Sequence, residues 1–140
     1  MTAEITGLEL FLQYLTLLFE VDALFCNDGR HLNNIAVIEQ NGKYNYCPIF
    51  DNGAGLLSNT QLSRMDLSPP ALISALRAIP FNTTFTRQMN TARSLYGTQL
   101  TMPKLTTNDI QEVLRPILEN YPQRDHGIMM DRVKACILTR

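Results

Sequence analysis

Residues 26–55 read CNDGRHLNNIAVIEQNGKYNYCPIFDNGAG, and this run decides the fold. At its centre Asn41-Gly42 separates two β-prone runs, Ile35-Ala36-Val37-Ile38 and Lys43 to Phe50. Both turn residues tolerate the positive φ of a type I′ turn, so the pattern predicts a β-hairpin. Pro48 has no N–H to give to a ladder and should end the regular pairing or sit at an edge. A polar segment, Cys26 to Asn34, precedes the hairpin. A turn-rich loop, Asp51-Asn52-Gly53-Ala54-Gly55, follows it.

Outside this run the pattern is helical. Upstream, Leu8, Phe11, Leu15, Leu18 and Leu24 form a stripe that Leu10, Tyr14, Leu17 and Val21 widen. One long helix from about Ile5 to Phe25 is expected, apolar over most of its circumference and therefore buried in the middle of the domain. Thr2 and Thr6 offer N-cap chemistry near its start. Downstream, Ser68-Pro69-Pro70 opens a helix with Leu72, Ile73, Leu76 and Ile79 as its stripe. Phe85 to Tyr96 reads as another, a third starts at Thr107, and Asp125 to Leu138 reads as the last. Pro116 falls inside the third and should kink or divide it.

The 140 residues fit one domain, 1–140. A net charge of −1 carries no basic excess for nucleic acid and no acidic tail. The aromatic residues form no stacking platform for single strands. Cys26, Cys47 and Cys136 are an odd set at long spacings, which favours free thiols in a reducing compartment. The most apolar stretch, Leu8 to Phe25, carries Glu9, Gln13, Glu20 and Asp22, which makes it a poor membrane span. With no basic and apolar leader pattern, the expected location is cytoplasmic.

The order of buried helix, polar loop, hairpin and Asp-Asn-Gly carries chemistry. Phosphoryl transfer needs an acidic group to orient the nucleophile and hard oxygen ligands for Mg²⁺. A hairpin can bring an Asn at its start close to an Asp at its end, and Asn34 and Asp51 occupy those places. Asp51-Asn52-Gly53 is equally a good turn in its own right.

Arg30-His31-Leu32-Asn33-Asn34-Ile35 and Pro48-Ile49-Phe50-Asp51-Asn52-Gly53 together resemble HipA-like protein kinases. That family has an Asp-Arg-His-x-x-Asn catalytic loop, then a hairpin, then a strand ending in a Mg²⁺-binding Asp. The loop is also similar to that of phosphatidylinositol kinases. The resemblance covers residues 26–55 and implies a mainly α, protein-kinase-like C-lobe with one β-hairpin at the active-site edge. It implies that Asn34 and Asp51 hold Mg²⁺ and that Asn34 contributes to ATP binding. Arg30 would brace the loop or contact phosphate. His31 belongs to the catalytic loop, where its ring is expected to hold the loop rather than act as base.

Two departures qualify that expectation. The family's catalytic Asp falls at Gly29, which can neither accept a proton nor orient a hydroxyl. Asp28, one residue earlier, is the candidate substitute, either from a remodelled loop or in a shifted register with Asn33. Second, these residues contain no Gly-rich loop or strand Lys of the kind that cradles nucleotide phosphates. The resemblance therefore implies an N-lobe supplied by a partner or a missing segment, and a protein substrate. A non-catalytic, pseudokinase-like protein-binding module is the alternative, and a lipid or small-molecule kinase fragment a further one.

Other features have plainer explanations. Cys26, His31 and Cys47 match no familiar zinc spacing and are expected to be core thiols and a loop residue. Asn82-Thr83-Thr84 fits a glycosylation acceptor but also a loop or helix start. Arg132, Lys134 and Arg140 suit the last turns of a helix, where cations favour the dipole.

Overall fold

The computed structural model describes residues 2–58 and 66–139. Its elements are α1 (Thr2–Thr6), α2 (Phe11–Phe25), β1 (Val37–Gln40), β2 (Lys43–Tyr46), α3 (Pro69–Ala75), α4 (Phe85–Tyr96), α5 (Thr107–Leu118) and α6 (Gln123–Leu138). Single 3₁₀ turns at Leu32–Asn34 and Gly55–Leu57 stand on either side of the hairpin. The chain is mainly helical, with one two-stranded antiparallel sheet among the described residues.

The long first helix is broken. Gly7 takes φ +70°, a left-handed conformation that glycine reaches at little cost and that ends α1. Thr6 does not cap the second helix; its hydroxyl accepts a hydrogen bond from Leu8 N at 3.3 Å, just past the end of α1. The residue at the N-cap of α2 is Leu10, which makes no side-chain cap bond. The expected cap at Thr2 rests on a side chain outside the described set.

α2 is the central element. Its Ala23, together with Cys26, packs into one core with Leu57, Leu72, Ala78, Phe85 and Cys136. Leu18 and Phe19 form a second core with Ala92, flanked by Tyr14, Leu15 and Ile35. Full burial of a side chain such as Leu18 contributes about 1.5–3 kcal/mol. Two acidic residues of α2 are nevertheless buried. Glu20 pairs with Arg93 Nε at 2.5 Å and accepts from the backbone N–H of Gln99 at 3.0 Å and of Leu100 at 2.6 Å. That carboxylate fastens α4, and the chain leaving it, to α2. Asp22 faces the polar loop described below.

The hairpin has the expected turn, with Asn41 at φ 53° and Gly42 at φ 74°. Its register pairs Val37 with Tyr46 and Gln40 with Lys43. β1 starts at Val37 rather than Ile35, because the 3₁₀ turn occupies the chain as far as Asn34. Pairing stops at Tyr46, before Pro48. The hairpin leans on the start of α2. The rings of Tyr14 and Tyr46 lie 5.5 Å apart, Leu10 N donates to the Tyr46 hydroxyl at 3.1 Å, and the Tyr14 hydroxyl donates to Cys47 O at 2.8 Å.

Downstream, α4 runs from Phe85 to Tyr96 as the pattern predicts, and Thr84 caps it by accepting from Arg87 N at 3.2 Å. α3 is shorter than its stripe. It ends at Ala75, and Ile79 lies beyond it, next to a turn closed by Ala78 N donating to Thr83 O at 2.7 Å. Thr106 and Asp109 form a capping box at the start of α5. Pro116 does not divide α5. It sits in the last turn, where few following N–H groups depend on regular geometry, and the helix ends at Leu118. α6 begins at Gln123, with Asp125 in its first turn. Arg132 of α6 is buried and donates to Leu57 O at 2.8 Å, while Arg140 lies outside the described residues. Cys26 and Cys136 are buried and Cys47 is half-buried. Among the described residues no helix is long and apolar enough to cross a membrane.

Candidate functional site

The polar loop after α2 folds around one guanidinium. Cys26 ends α2 in the left-handed region at φ 54°, and Asn27 N turns back to Asp22 O at 2.9 Å. This reversal carries Arg30 under the loop, where its exposure is 0%. Arg30 Nε and Nη2 reach the Asp22 carboxylate at 3.0 and 2.9 Å. Nη1 donates to Phe50 O at 2.6 Å and to Asn34 O at 3.2 Å, and Nη2 donates to Asn52 Oδ1 at 2.7 Å. Every N–H of the guanidinium thus has an acceptor. Arg30 thus ties Asp22 of α2 to both ends of the hairpin.

Asn34 and Asp51, seventeen positions apart, meet side chain to side chain. Asn34 Nδ2 donates to Asp51 Oδ2 at 2.5 Å and to Gly29 O at 3.1 Å. Gly29 O also accepts from His31 N at 2.9 Å, so one carbonyl gathers the loop. With both amide hydrogens engaged, Asn34 Oδ1 is left as an acceptor beside the Asp51 carboxylate. Asp51 reaches this place by adopting φ 54°, a left-handed conformation that Asp tolerates better than most residues. Asp51 is exposed and Asn34 half-buried, so the pair opens to solvent. Asn33, the partner in the shifted register, is exposed, and the contacts to Gly29 and Asp51 belong to Asn34.

The loop after Asp51 closes on the same segment. A Cβ added at Gly29 would lie 2.9 Å from Ala54 Cβ, and one at Gly55 would lie 3.3 Å from both Cβ and O of Phe25. Gly29 is thus a packing contact, and the position where the resemblance places a catalytic carboxylate has no room for one without a shift of Ala54.

The remaining candidates stand apart from the pair. Asp28 is half-buried, and no hydrogen bond among the described residues joins it to Asn34 or Asp51. Burial pushes its carboxyl above the usual range, partly offset by its own backbone N–H. His31 is exposed; its main chain, through His31 N to Gly29 O and Asn34 N to His31 O, builds the loop, and no hydrogen bond to its ring is present among the described residues. Burial also pushes the Asp22 carboxyl upward, against the opposing effects of Arg30 and Asn27.

The donor set suits a hard cation. Asp22 and Arg30 neutralise each other below the surface, and Asp28, Glu39 and Asp51 are the carboxylates of residues 26–55 without an ion-pair partner among the described residues, Glu39 lying out on the hairpin. One carboxylate and one amide oxygen are ligands of the kind Mg²⁺ accepts alongside water and phosphate oxygens. Among the described residues no three His, Cys, Asp or Glu side chains gather into a group that could hold a metal ion by themselves.

Asp22, Asn27 and Asn52 are the site residues that sequence patterns leave out. The available signal was a carboxylate on an otherwise apolar buried helix, which demands a partner. Comparisons of the chain with protein-family models, with curated proteins and with solved structures find no match.

Proposed function

We propose that this chain is the helical lobe of a HipA-like Ser/Thr protein kinase, carrying the Mg²⁺-binding half of a site for Mg²⁺–ATP. The observation that supports it is the side-chain meeting of Asn34 and Asp51, with Asn34 also tied to the backbone five positions earlier. Asn34 Oδ1 and the Asp51 carboxylate would hold Mg²⁺, which when bound neutralises charge on the nucleotide phosphates. Arg30 keeps the two ligands in place from below. Asp28 is the acidic group for a substrate hydroxyl, its carboxyl raised by burial. The phosphate cradle comes from an N-lobe on a partner or another segment, and the phosphoacceptor is a protein hydroxyl.

A non-catalytic module that binds Mg²⁺–nucleotide or protein is the second reading, and Gly29 against Ala54 favours it. Calorimetric titration of Mg²⁺–ATP into the chain and into Asp51→Ala tests the shared half-site. Binding by the first and none by the second is expected. Equal heats from both proteins, or none from either, would remove it. Phosphotransfer after adding an N-lobe partner then separates the two readings.

A further inference from the structure

The carboxylate of Asp22 lies at the root of two hydrogen-bond branches, one ending on Asn34 and the other on the residues that flank Asp51. In the first, Asn27 Nδ2 donates to Asp22 Oδ1 at 2.9 Å, Gly29 N donates to Asn27 Oδ1 at 3.2 Å, and Gly29 O receives Asn34 Nδ2 at 3.1 Å. In the second, Asp22 holds Arg30, whose Nη1 and Nη2 hold Phe50 O and Asn52 Oδ1, the residues on either side of Asp51. Asp22 and Arg30 have exposures of 1% and 0%, whereas Asp51 and Asn52 are exposed. Each branch is therefore anchored on α2, and its far end holds Asn34 in the first case and the neighbours of Asp51 in the second.

We propose that Asp22, acting through Arg30, is a positioning residue for the cation half-site, fixing Asn34 and Asp51 relative to one another before any ligand arrives. This rests on the half-site reading above. A pair of ligands held at a set separation loses less conformational entropy on binding than a pair drawn from two mobile loops. Neither Asp22 nor Arg30 belongs to the two apolar clusters, whose members come from α2, α3, α4, α6 and the adjoining turns. The network can therefore be cut at its exposed end, Asn52, without touching the core.

The test uses Asn52→Ala and Arg30→Lys, with Mn²⁺ as the probe. Asn52 is exposed, so its truncation removes the Nη2 bond and leaves the fold intact. Lys at position 30 keeps a cation beside Asp22 but cannot form the fork. Two readouts are taken on each protein: the Asn34 side-chain amide resonances before any cation is added, and the Mn²⁺ affinity. In both variants the Asn34 amide is expected to move toward its solvent-averaged position while the other amides stay. Affinity should fall about tenfold in Asn52→Ala, the change expected for one lost charge-assisted hydrogen bond, and further in Arg30→Lys. An Asn34 amide unchanged in both folded variants overturns the positioning role, whatever the affinities. A wild-type chain that takes up no Mn²⁺, with an Asn34 amide that still moves in the variants, removes the half-site reading and with it the positioning of cation ligands, and leaves Asp22 as a brace of the loop alone.

Discussion

Gly29 and Ala54 pack so closely that a Cβ on the glycine would fall 2.9 Å from the alanine Cβ. The polar loop after α2 and the segment after Asp51 therefore meet at a point that admits no side chain without a shift. A Gly29→Asp substitution, which would restore the carboxylate expected from the resemblance, is predicted to cost about 1–3 kcal/mol by overpacking and to yield no phosphotransfer by itself. Adding Ala54→Gly relieves the contact and should recover most of that stability. Urea unfolding of the single and double variants measures this, and an additive loss in the double variant would contradict it.

Asp22 and Arg30 form a buried ion pair with 2.9 Å between Nη2 and Oδ1. Removing one partner leaves a charge with no counter-ion in a dry place. Asp22→Ala is expected to lose about 3–5 kcal/mol, whereas replacing both with apolar residues of similar size, Asp22→Leu with Arg30→Met, is expected to be near neutral. The double variant keeps the fold but drops every bond from Arg30 to Asn34, Phe50 and Asn52. It should unfold at a urea midpoint near wild type yet bind no Mg²⁺–ATP. Full binding by that variant would show the network to be dispensable.

Helix existence was largely legible in the sequence, because the apolar period lies in local residues. The helices over Phe85 to Tyr96 and from Thr107 were readable from their residues, while their caps, Thr84 and Thr106, came only with the structure. The hairpin turn follows from Asn41-Gly42. The break at Gly7 was not legible, since the apolar stripe runs straight through it and a glycine inside a helix is only weakly unfavourable. The early end of α3 was hidden for the same reason, as Ile79 continues the period. The meeting of Asn34 with Asp51 could be anticipated from the hairpin between them. The network beneath could not, because it depends on Asp22 facing the loop across eight positions, a tertiary relation with no local pattern.

Asp28 is the group for pH work. Its carboxyl is raised in the folded chain by burial, so its contribution favours the fold below the ordinary carboxylate pKa and is lost as pH rises through the raised value. At neutral pH the ionised form is the less favourable one. Asp28→Asn is therefore expected to melt higher than wild type at pH 7, with the advantage shrinking toward pH 3 as the wild-type carboxyl protonates. A variant less stable than wild type at pH 7 would contradict this.

Tyr14 ties the hairpin to α2 through its hydroxyl on Cys47 O at 2.8 Å. Tyr14→Phe keeps the ring against Tyr46 and removes that bond, at a cost of about 1 kcal/mol. Amide exchange should speed up in β2 and at Cys47 while α4 and α6 keep their protection. Uniform acceleration across the chain would mean the bond supports the whole fold rather than the hairpin.

The most direct test of the half-site is paramagnetic broadening by substoichiometric Mn²⁺, followed residue by residue. The expected result is broadening centred on Asn34 and Asp51, extending to Gly29 and Asn52, relieved by excess Mg²⁺ and absent in Asp51→Ala. Broadening centred elsewhere, or spread evenly over the exposed carboxylates, would contradict a cation site between these two residues.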